Sequence, residues 1–361
     1  DDVVYWYKEI DGDPALQQPG YSGQFIEMPD GSQARIEIEK IDERSFVFHY
    51  PRIVANPVLS TNMTFGPRYV YEKVKNERGS EGLADLFNIS TDVKTIPSIG
   101  QYHIIEYTQG VQVVLRRNPH YWKKDKNGVT LPYFERLVYK IIPDSNTEML
   151  TFTEGKMDIY TPRPEDLQAL VERKGADYTV YNGGAALGSA FFTFNQNPEY
   201  MDSKVYKWFS QKEFRQAASC LLNRPRIAEQ VYRGLAVPAL HFFAEPNPLY
   251  DHNIRLDYTY NPERARKLLA GIGITPDEEG VMTDSDGNPI EFTINLGAEY
   301  NVGIDMANIF ADELSRVGIK ANVRPIDFQK VVDMLVSTYD WQVILVSLGS
   351  NYWPSSGSNV W

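Results

Sequence analysis

Apolar and polar residues alternate in two stretches of the first third of the chain. Residues 33–50 carry apolar side chains between charged neighbours, namely Ile36, Ile38, Ile41, Phe46 and Phe48. Because successive side chains of a strand point to opposite faces, this pattern predicts two strands joined by the polar residues 42–44. Residues 102–117 predict a second hairpin with its turn at Gln109 and Gly110. The signals between residues 60 and 88 are mixed and indicate loops.

Residues 137–160 predict a strand, a short helix and a second strand. The first strand covers 137–142, and residues 145–148 read Ser-Asn-Thr-Glu, a capping box whose hydroxyl and carboxylate can each satisfy a free amide at a helix start. Gly155 is expected to end that helix, and residues 157–160 to begin the next strand. This order favours an α/β layer with a crossover connection.

The second half of the chain alternates between strand and helix patterns. A strand is predicted at 190–195, and a helix begins at Asn261, Pro262 and Glu263, which supply a side-chain cap, a proline for the first turn and an acid beside the helix dipole. Further helices are predicted at 214–222, 227–231 and 306–317, strands at 292–296, 319–323 and 339–347, and a tight hairpin at 284–288. The predicted fold class is α/β, with mixed sheets and flanking helices.

The simplest division of the chain is into two α/β lobes joined near Asn195. Residues 1–194 are expected to form part of a first lobe, 195–346 a second lobe, and 347–361 a return crossing and the start of the remaining first lobe. The 361 residues suffice for about two or three domains. Because the chain ends on a loop dense in Gly, Ser, Asn and Trp, we expect it to be a fragment.

Composition and charge narrow the range of partners. The 36 basic and 48 acidic residues give a formal net charge of −12, which disfavours nucleic acid and anionic lipid surfaces. No apolar run reaches the roughly 18 to 20 residues of a membrane-spanning helix, and the start lacks a signal-peptide pattern, so an export signal or lipid anchor would have been removed. Aromatic residues make up 13%, which suits sugars and peptides held by stacking and hydrogen bonds.

Motifs for metal or catalytic chemistry are absent from the sequence. The five histidines never come close together along the chain, and the single Cys220 lies in an apolar stretch that indicates a buried, inert thiol. The glycine-rich residues 183–188 lack the Lys-Ser/Thr pair of a phosphate loop. The sequence therefore predicts no catalytic residue, no metal site and no cofactor. Paired carboxylates of a glycoside hydrolase stay open, because 48 acids always provide some pair at a suitable separation.

Several segments, taken in order, resemble solute-binding protein family 5, the oligopeptide-, dipeptide-, nickel- and oligosaccharide-binding components of ABC transporters. Residues 115–122 read Leu-Arg-Arg-Asn-Pro-His-Tyr-Trp and are similar to the family's Arg-Asn-Pro-x-Tyr-Trp signature. Other matching segments are 98–102, 138–144, 154–159, 193–195, 214–217, 223–224, 234–238 and 260–265. No single motif is strong, but their shared order is specific.

The resemblance implies a bacterial receptor with the two-lobed fold of type II periplasmic binding proteins. Its lobes would close on a ligand by hinge motion. The implied protein is a monomer outside the cytoplasm, periplasmic or lipid-anchored, that passes its ligand to the membrane permease of an ABC transporter. No catalysis is expected. Two alternatives remain, a carbohydrate-active enzyme with paired carboxylates and a surface adhesin or scaffold derived from the receptor fold.

One departure from the family bears on the ligand. Peptide binders of the family commonly place an aspartate after the second crossing strand, where it pairs with the α-ammonium group of the peptide. Residues 347–354 contain no acid, which favours an uncharged polyol or sugar, or a peptide bound in another way. The candidate ligand-binding residues are Asn195, Tyr300, Asn301, Asn351, Tyr352, Trp353, Asn359 and Trp361.

Overall fold

The structure is a computed structural model that describes residues 1–349 except 17, 19, 56, 62, 174, 242, 255 and 256. The chain divides into two compact units. The first unit includes Asp1–Ile142, and the second is Pro143–Trp353. Each unit has secondary structure of a different kind, so they are described separately.

The first unit is built from short helices and antiparallel strands. Its helices are α1 (Asp2–Tyr5), continued by a π-helical turn (Trp6–Ile10), α2 (Pro57–Ser60), α3 (Arg68–Arg78) and α4 (Glu81–Ala84). Its strands are β1 (Phe25–Glu27), β2 (Gln33–Arg35), β3 (Glu37–Lys40), β4 (Phe46–His49), β5 (Tyr102–Thr108), β6 (Gln112–Arg117) and β7 (Arg136–Lys140). Strand β3 pairs with β4, and β5, β6 and β7 form one antiparallel sheet. Both hairpins predicted from the alternating residues are confirmed.

Helix α3 corrects the prediction that residues 60–88 are loops. Arg68 donates to the carboxylate of Glu72 one turn later, at 2.7 Å, and such i,i+4 pairs support a helix. The ring of Tyr71 packs edge-to-face against Trp6, with centroids 4.8 Å apart. The interpretation as loops was wrong because charged residues dominate this helix, and its aromatic contact with Trp6 comes from a distant part of the chain.

The second unit combines helices with a mixed sheet. Its helices are α5 (Ser145–Thr153), α6 (Leu167–Glu172), α7 (Ser203–Phe209), α8 (Lys212–Leu221), α9 (Arg224–Gln230), α10 (Pro262–Gly271), α11 (Asn301–Ser315) and α12 (Phe328–Asp333), which a π-helical turn (Met334–Thr338) continues. Its strands are β8 (Ser189–Phe194), β9 (Thr275–Pro276), β10 (Met282–Thr283), β11 (Glu291–Gly297), β12 (Lys320–Ile326) and β13 (Val343–Leu348). The described residues build a four-stranded sheet in the order β12-β11-β13-β8.

Strands β12 and β13 run parallel to β11 on its two sides, and β8 runs antiparallel to β13. Helix α11 connects β11 to β12, and α12 connects β12 to β13. This mixed sheet with flanking helices confirms the predicted α/β class. Asn261 also caps α10 as predicted, because its side chain accepts a hydrogen bond from the Arg264 amide at 2.9 Å.

Two predictions around residues 144–160 were wrong. Asp144, not Ser145, is the cap of α5, since its carboxylate accepts from the Thr147 amide at 2.7 Å. Residues 157–160 form no strand, and Ile159 is exposed. The next strand is β8, which is antiparallel to β13, so the crossover connections of this unit lie later, around α11 and α12.

The compact units also differ from the predicted division near Asn195. Strand β8 precedes Asn195 in the chain but pairs with β13 along its whole length, from Phe194 opposite Val343 to Ser189 opposite Leu348. This pairing places 143–194 in the same compact unit as the residues that follow. The lobe boundaries of the whole protein stay a prediction.

The core of the second unit lies between its sheet and helices α8 and α11. Alternate residues of β11, Phe292, Ile294 and Leu296, are buried on this side. On the other side of β11, the position that a side chain would occupy at Gly297 lies 3.4 Å from the ring of Phe328 in α12. Helices therefore cover both faces of β11, as expected for a strand inside an α/β sheet.

The loop between β10 and β11 contains a buried carboxylate. Asp284 accepts hydrogen bonds from the Trp208 indole at 3.0 Å and from the backbone amides of Asp286 and Asn288. Burial opposes its ionisation, but the hydrogen bonds from Asn288 and Trp208 outweigh burial and lower the pKa of Asp284 to about 2.

The depressed pKa of Asp284 predicts an acid-sensitive contribution to stability. The ionised form is stabilised in the folded state, so this contribution is complete above the unfolded pKa of about 3.9 and is lost as the pH falls towards 2. We expect Asp284→Asn to lower the free energy of unfolding by about 2 kcal/mol at pH 7 and by much less at pH 2.5. Urea unfolding at both pH values measures this. A deficit that is equal at both values contradicts the assignment.

Candidate functional site

The carboxyl ends of the three parallel strands meet at one edge of the sheet in the second unit. Ile294 of β11 lies opposite Val343 of β13, so the two strands end side by side. From β11 the chain passes to β12 on one side and then returns past β11 to β13 on the other. In open α/β sheets, ligands bind outside the carboxyl ends where the strand order reverses. We call residues 297–300, 326–328 and 347–349 the carboxyl edge.

Hydroxyl groups converge at the carboxyl edge. The hydroxyl oxygen of Tyr300 lies 3.5 Å from that of Ser347, across the ends of β11 and β13. The hydroxyl group of Tyr232, in the segment after α9, also lies beside Tyr300. Burial, together with the hydrogen bond to Tyr300, raises the pKa of Tyr232. Tyr232 therefore stays a neutral phenol. Its hydroxyl donates to the sulfur of Met306 at 3.5 Å, and its oxygen can still accept a hydrogen bond.

The start of helix α11 positions Tyr300. The backbone amide of Tyr300 donates to the carbonyl of Gly297 at 3.1 Å, which closes the turn between β11 and α11. The Tyr300 ring occupies the space that a side chain at Gly303 would need, so glycine at 303 allows the ring to lie over the first turn. Among the described residues no side chain caps α11. The free amides of its first turn, beside the exposed Asn301, can donate to a polar ligand.

Two carboxylates also lie at the carboxyl edge. Glu299 is exposed in the turn after β11. Asp327 follows β12 and caps α12 by accepting from the Lys330 amide at 3.2 Å. Sequence analysis missed Glu299, which directly precedes Tyr300 but belongs to no motif. It also missed Tyr232, because the proximity of Tyr232 to Tyr300 depends on the fold. The exposed Glu299 can attract a cationic group of a ligand.

Asn195 lies away from the carboxyl edge. Its amide nitrogen donates to the carbonyls of Tyr339 and Trp341 at 3.0 and 2.9 Å, and its amide oxygen accepts from the backbone of Asn197 at 3.0 Å. These hydrogen bonds connect the residue after β8 to the segment that precedes β13. Ser347 lies about five residues further along β8 and β13, or roughly 17 Å.

The structure therefore does not bring Asn195 and Tyr300 together. The buried side-chain amide of Asn195 stabilises the contact between two segments of the chain. Its role in ligand binding stays a prediction. The predicted ligand-binding residues Asn351, Tyr352, Trp353, Asn359 and Trp361 lie outside the described residues.

The described parts of the chain hold one free thiol and no cluster of metal ligands. No three His, Cys, Asp or Glu side chains there are grouped closely enough to hold a metal ion. Cys220 is buried, as the sequence predicted, and this burial raises the pKa of its thiol. Within those same residues, none of the helices combines the length and apolar character needed to cross a bilayer.

Comparison with known proteins extends the sequence resemblance. The model of bacterial extracellular solute-binding proteins, family 5 (middle), matches residues 1–361. A probable ABC transporter-binding protein of Deinococcus radiodurans is 30% identical, over 90% of this chain and 57% of the relative. Di/tripeptide-binding protein 2 of Pseudomonas aeruginosa is 26% identical, over 92% of this chain and 57% of the relative. The chain thus spans little more than half the length of these relatives.

Solved structures with the same fold carry different ligands. The oligopeptide-binding protein AppA from Bacillus subtilis, in complex with a nonapeptide, has a TM-score of 0.76 at 20% identity, over 98% of this chain and 64% of AppA. The periplasmic binding protein MelB from Agrobacterium fabrum, in complex with stachyose, has a TM-score of 0.78 at 19% identity, over 98% of this chain and 55% of MelB. The expected fold is confirmed, and the chain belongs to family 5 of the bacterial extracellular solute-binding proteins.

Proposed function

We propose that the protein is the receptor of an ABC importer that binds an oligosaccharide or an oligopeptide without catalysis. One observation carries this proposal. In a family 5 chain, the hydroxyl groups of Tyr232, Tyr300 and Ser347 converge at the edge where the strand order reverses. Hydroxyl groups and free helix amides bind polar ligands by hydrogen bonds.

The chemistry of the carboxyl edge favours an uncharged oligosaccharide as the first ligand class. Neutral phenols pair well with sugar hydroxyls, and an aromatic ring offers a face on which a sugar can stack. A second class, oligopeptides, is favoured by the exposed carboxylate of Glu299, which can meet an α-ammonium group. Both classes occur among the relatives, which include an alpha-galactoside-binding protein of Rhizobium meliloti and a dipeptide-binding protein of Escherichia coli.

The site of action follows from the family. A receptor of this kind works outside the cytoplasm, in the periplasm or held at the membrane surface by a lipid anchor, and its partner is the permease of an ABC transporter. We propose both for this protein, acting as a monomer. The net charge of −12 is consistent with a receptor that does not bind nucleic acid.

A thermal-shift panel tests the proposed function. The full chain is heated with tetrasaccharides, with tetrapeptides that carry a free amine, and with the same peptides acetylated. Because a ligand stabilises the folded state that it binds, the free energy of unfolding rises by about 2.7 kcal/mol at a hundredfold excess over the dissociation constant. No shift with either ligand class overturns the proposal. If the peptides with a free amine stabilise the protein more than the acetylated peptides, the ligand belongs to the peptide class and Glu299 is the expected partner of its α-ammonium group.

Replacing Tyr300 tests where the ligand lies. We expect Tyr300→Ala to weaken the affinity for the panel ligand about tenfold, or ~1.4 kcal/mol, because one phenol contact and its hydrogen bond are lost. The matched control is Tyr200→Ala. Tyr200 packs on Tyr339 beside Asn195, at the opposite end of the sheet, with ring centroids 5.0 Å apart. Titration calorimetry compares the ligand affinity of the two variants. A loss of affinity in Tyr200→Ala alone would place the ligand at the end of the sheet where Asn195 lies.

A further inference from the structure

A cavity of about 230 Å³ opens within the second unit, beside the edge strand β8. The end of α8 and residues 239–241 form its other walls. Its apolar lining includes Phe191, Phe192, Leu222, Leu240 and Phe310. The lining residues Ser189 and Ala190 pair with Leu348 and Ser347, so the cavity borders the carboxyl edge. None of its lining residues belongs to that edge.

A cation lies in this apolar wall. The guanidinium group of Arg224 donates to the carbonyl and the hydroxyl oxygen of Ser219, both at 3.0 Å, and to the carbonyl of Tyr258 at 3.4 Å. Within the described residues Arg224 has no carboxylate partner, whereas nearby Arg226 pairs with both Asp312 and Glu313. Burial lowers the pKa of Arg224, which indicates a charge that is poorly hydrated where it lies.

A partly desolvated charge without a counter-ion is costly, and a carboxylate would relieve this cost. The planar guanidinium group has five N–H donors, and its three bonds to Ser219 and Tyr258 leave donors for an incoming anion. His241 lies in the same lining and adds a second polar group.

Size limits the occupant to a small molecule. An apolar cavity of roughly 150 Å³ admits benzene, so 230 Å³ accommodates one aromatic ring with a short polar substituent. We propose that this cavity is a binding site for a small aromatic monocarboxylate, with the carboxylate on Arg224 and the ring against Phe192 and Phe310. The phenylalanine faces suit the ring by edge and face contacts.

Titration of the full chain with sodium benzoate and with benzyl alcohol tests this site. Benzoate is expected to bind with a dissociation constant below about 1 mM, and benzyl alcohol, which has a similar shape but no charge, at least tenfold more weakly. Arg224→Gln is expected to remove the preference for benzoate. Equal affinity for the two compounds, or no benzoate binding at 10 mM, overturns the proposal.

A second variant avoids any dependence on the folding of Arg224→Gln. Ala239 lies in an exposed part of the cavity wall, so Ala239→Trp should fill the opening and weaken benzoate binding at least tenfold. Val237→Trp is the matched control, since Val237 is exposed in the same loop and does not line the cavity. Unchanged benzoate affinity in Ala239→Trp overturns the proposal. The panel ligand of the carboxyl edge should bind both variants equally, so this site and the proposed function fail separately.

Discussion

Replacing Phe209 with alanine is expected to lower the free energy of unfolding of the second unit by about 4 kcal/mol. Phe209 is fully buried, and its ring centroid lies 5.0 Å from that of Phe194 and 5.5 Å from those of Phe214 and Phe292. Three elements besides its own helix therefore contribute rings to one cluster. Removing the central ring loses its transfer free energy and leaves a cavity that the surrounding rings cannot fill.

Urea unfolding measures this loss. Tryptophan fluorescence follows the unfolding, and the buried Trp208, next to Phe209 in α7, contributes to the signal of the second unit. Phe328→Ala is the matched control, because Phe328 is 59% exposed and its loss should cost less than about 1 kcal/mol. A loss below 2 kcal/mol for Phe209→Ala would mean that the aromatic cluster is not the centre of this core.

Replacing Glu313 with alanine is expected to lower the free energy of unfolding by about 3 kcal/mol. Its carboxylate is buried in α11 and accepts hydrogen bonds from Asn223 and Arg226 at 2.9 Å and from the hydroxyl of Tyr260 at 2.6 Å. Burial opposes its ionisation, but these bonds outweigh it and lower the pKa of Glu313. Alanine would remove the acceptor of the half-buried Asn223 amide and Tyr260 hydroxyl, whereas Arg226 would keep its pair with Asp312.

The neighbouring Asp312 provides the control for Glu313. Asp312 also pairs with Arg226 and Arg316, but its side chain is 43% exposed, and exposed pairs contribute little. Asp312→Ala should therefore cost less than about 1 kcal/mol at pH 7, measured by the same urea unfolding. If both variants lost a similar free energy of unfolding, burial would not be the reason why the hydrogen bonds of Glu313 stabilise the fold. The Glu313 contribution should also decrease on acidification below the unfolded pKa of about 4.3.

The parts of the fold predicted correctly are those specified by neighbouring residues. The hairpin of β3 and β4 follows from the alternation of Ile38 with charged residues, and the start of α10 follows from Asn261 and its proline. The strand predicted at 157–160 had the same kind of local signal. It was wrong because pairing partners decide whether an extended segment becomes a strand, and Ile159 has none among the described strands.

The candidate site was predictable only in part. Tyr300 was predicted because it lies between a strand pattern and a helix pattern, the place where α/β folds present ligands, and its role in binding stays a prediction. Tyr232 gave no signal, since its position beside Tyr300 depends on how the segment after α9 packs. Asn195 was placed by its position at a strand end, but its partners Tyr339 and Trp341 are more than 140 residues away in sequence. No local pattern encodes that contact.

Binding without turnover is the central claim, and calorimetry combined with recovery of the ligand tests it most directly. The full chain is titrated with stachyose and with a tetrapeptide, and the ligand is then analysed by chromatography after prolonged incubation. We predict saturable binding of at least one of these compounds, with the ligand recovered unchanged. Release of smaller sugars or peptides that stops when one acidic residue is replaced, or the absence of saturable heat with both classes, would contradict the account.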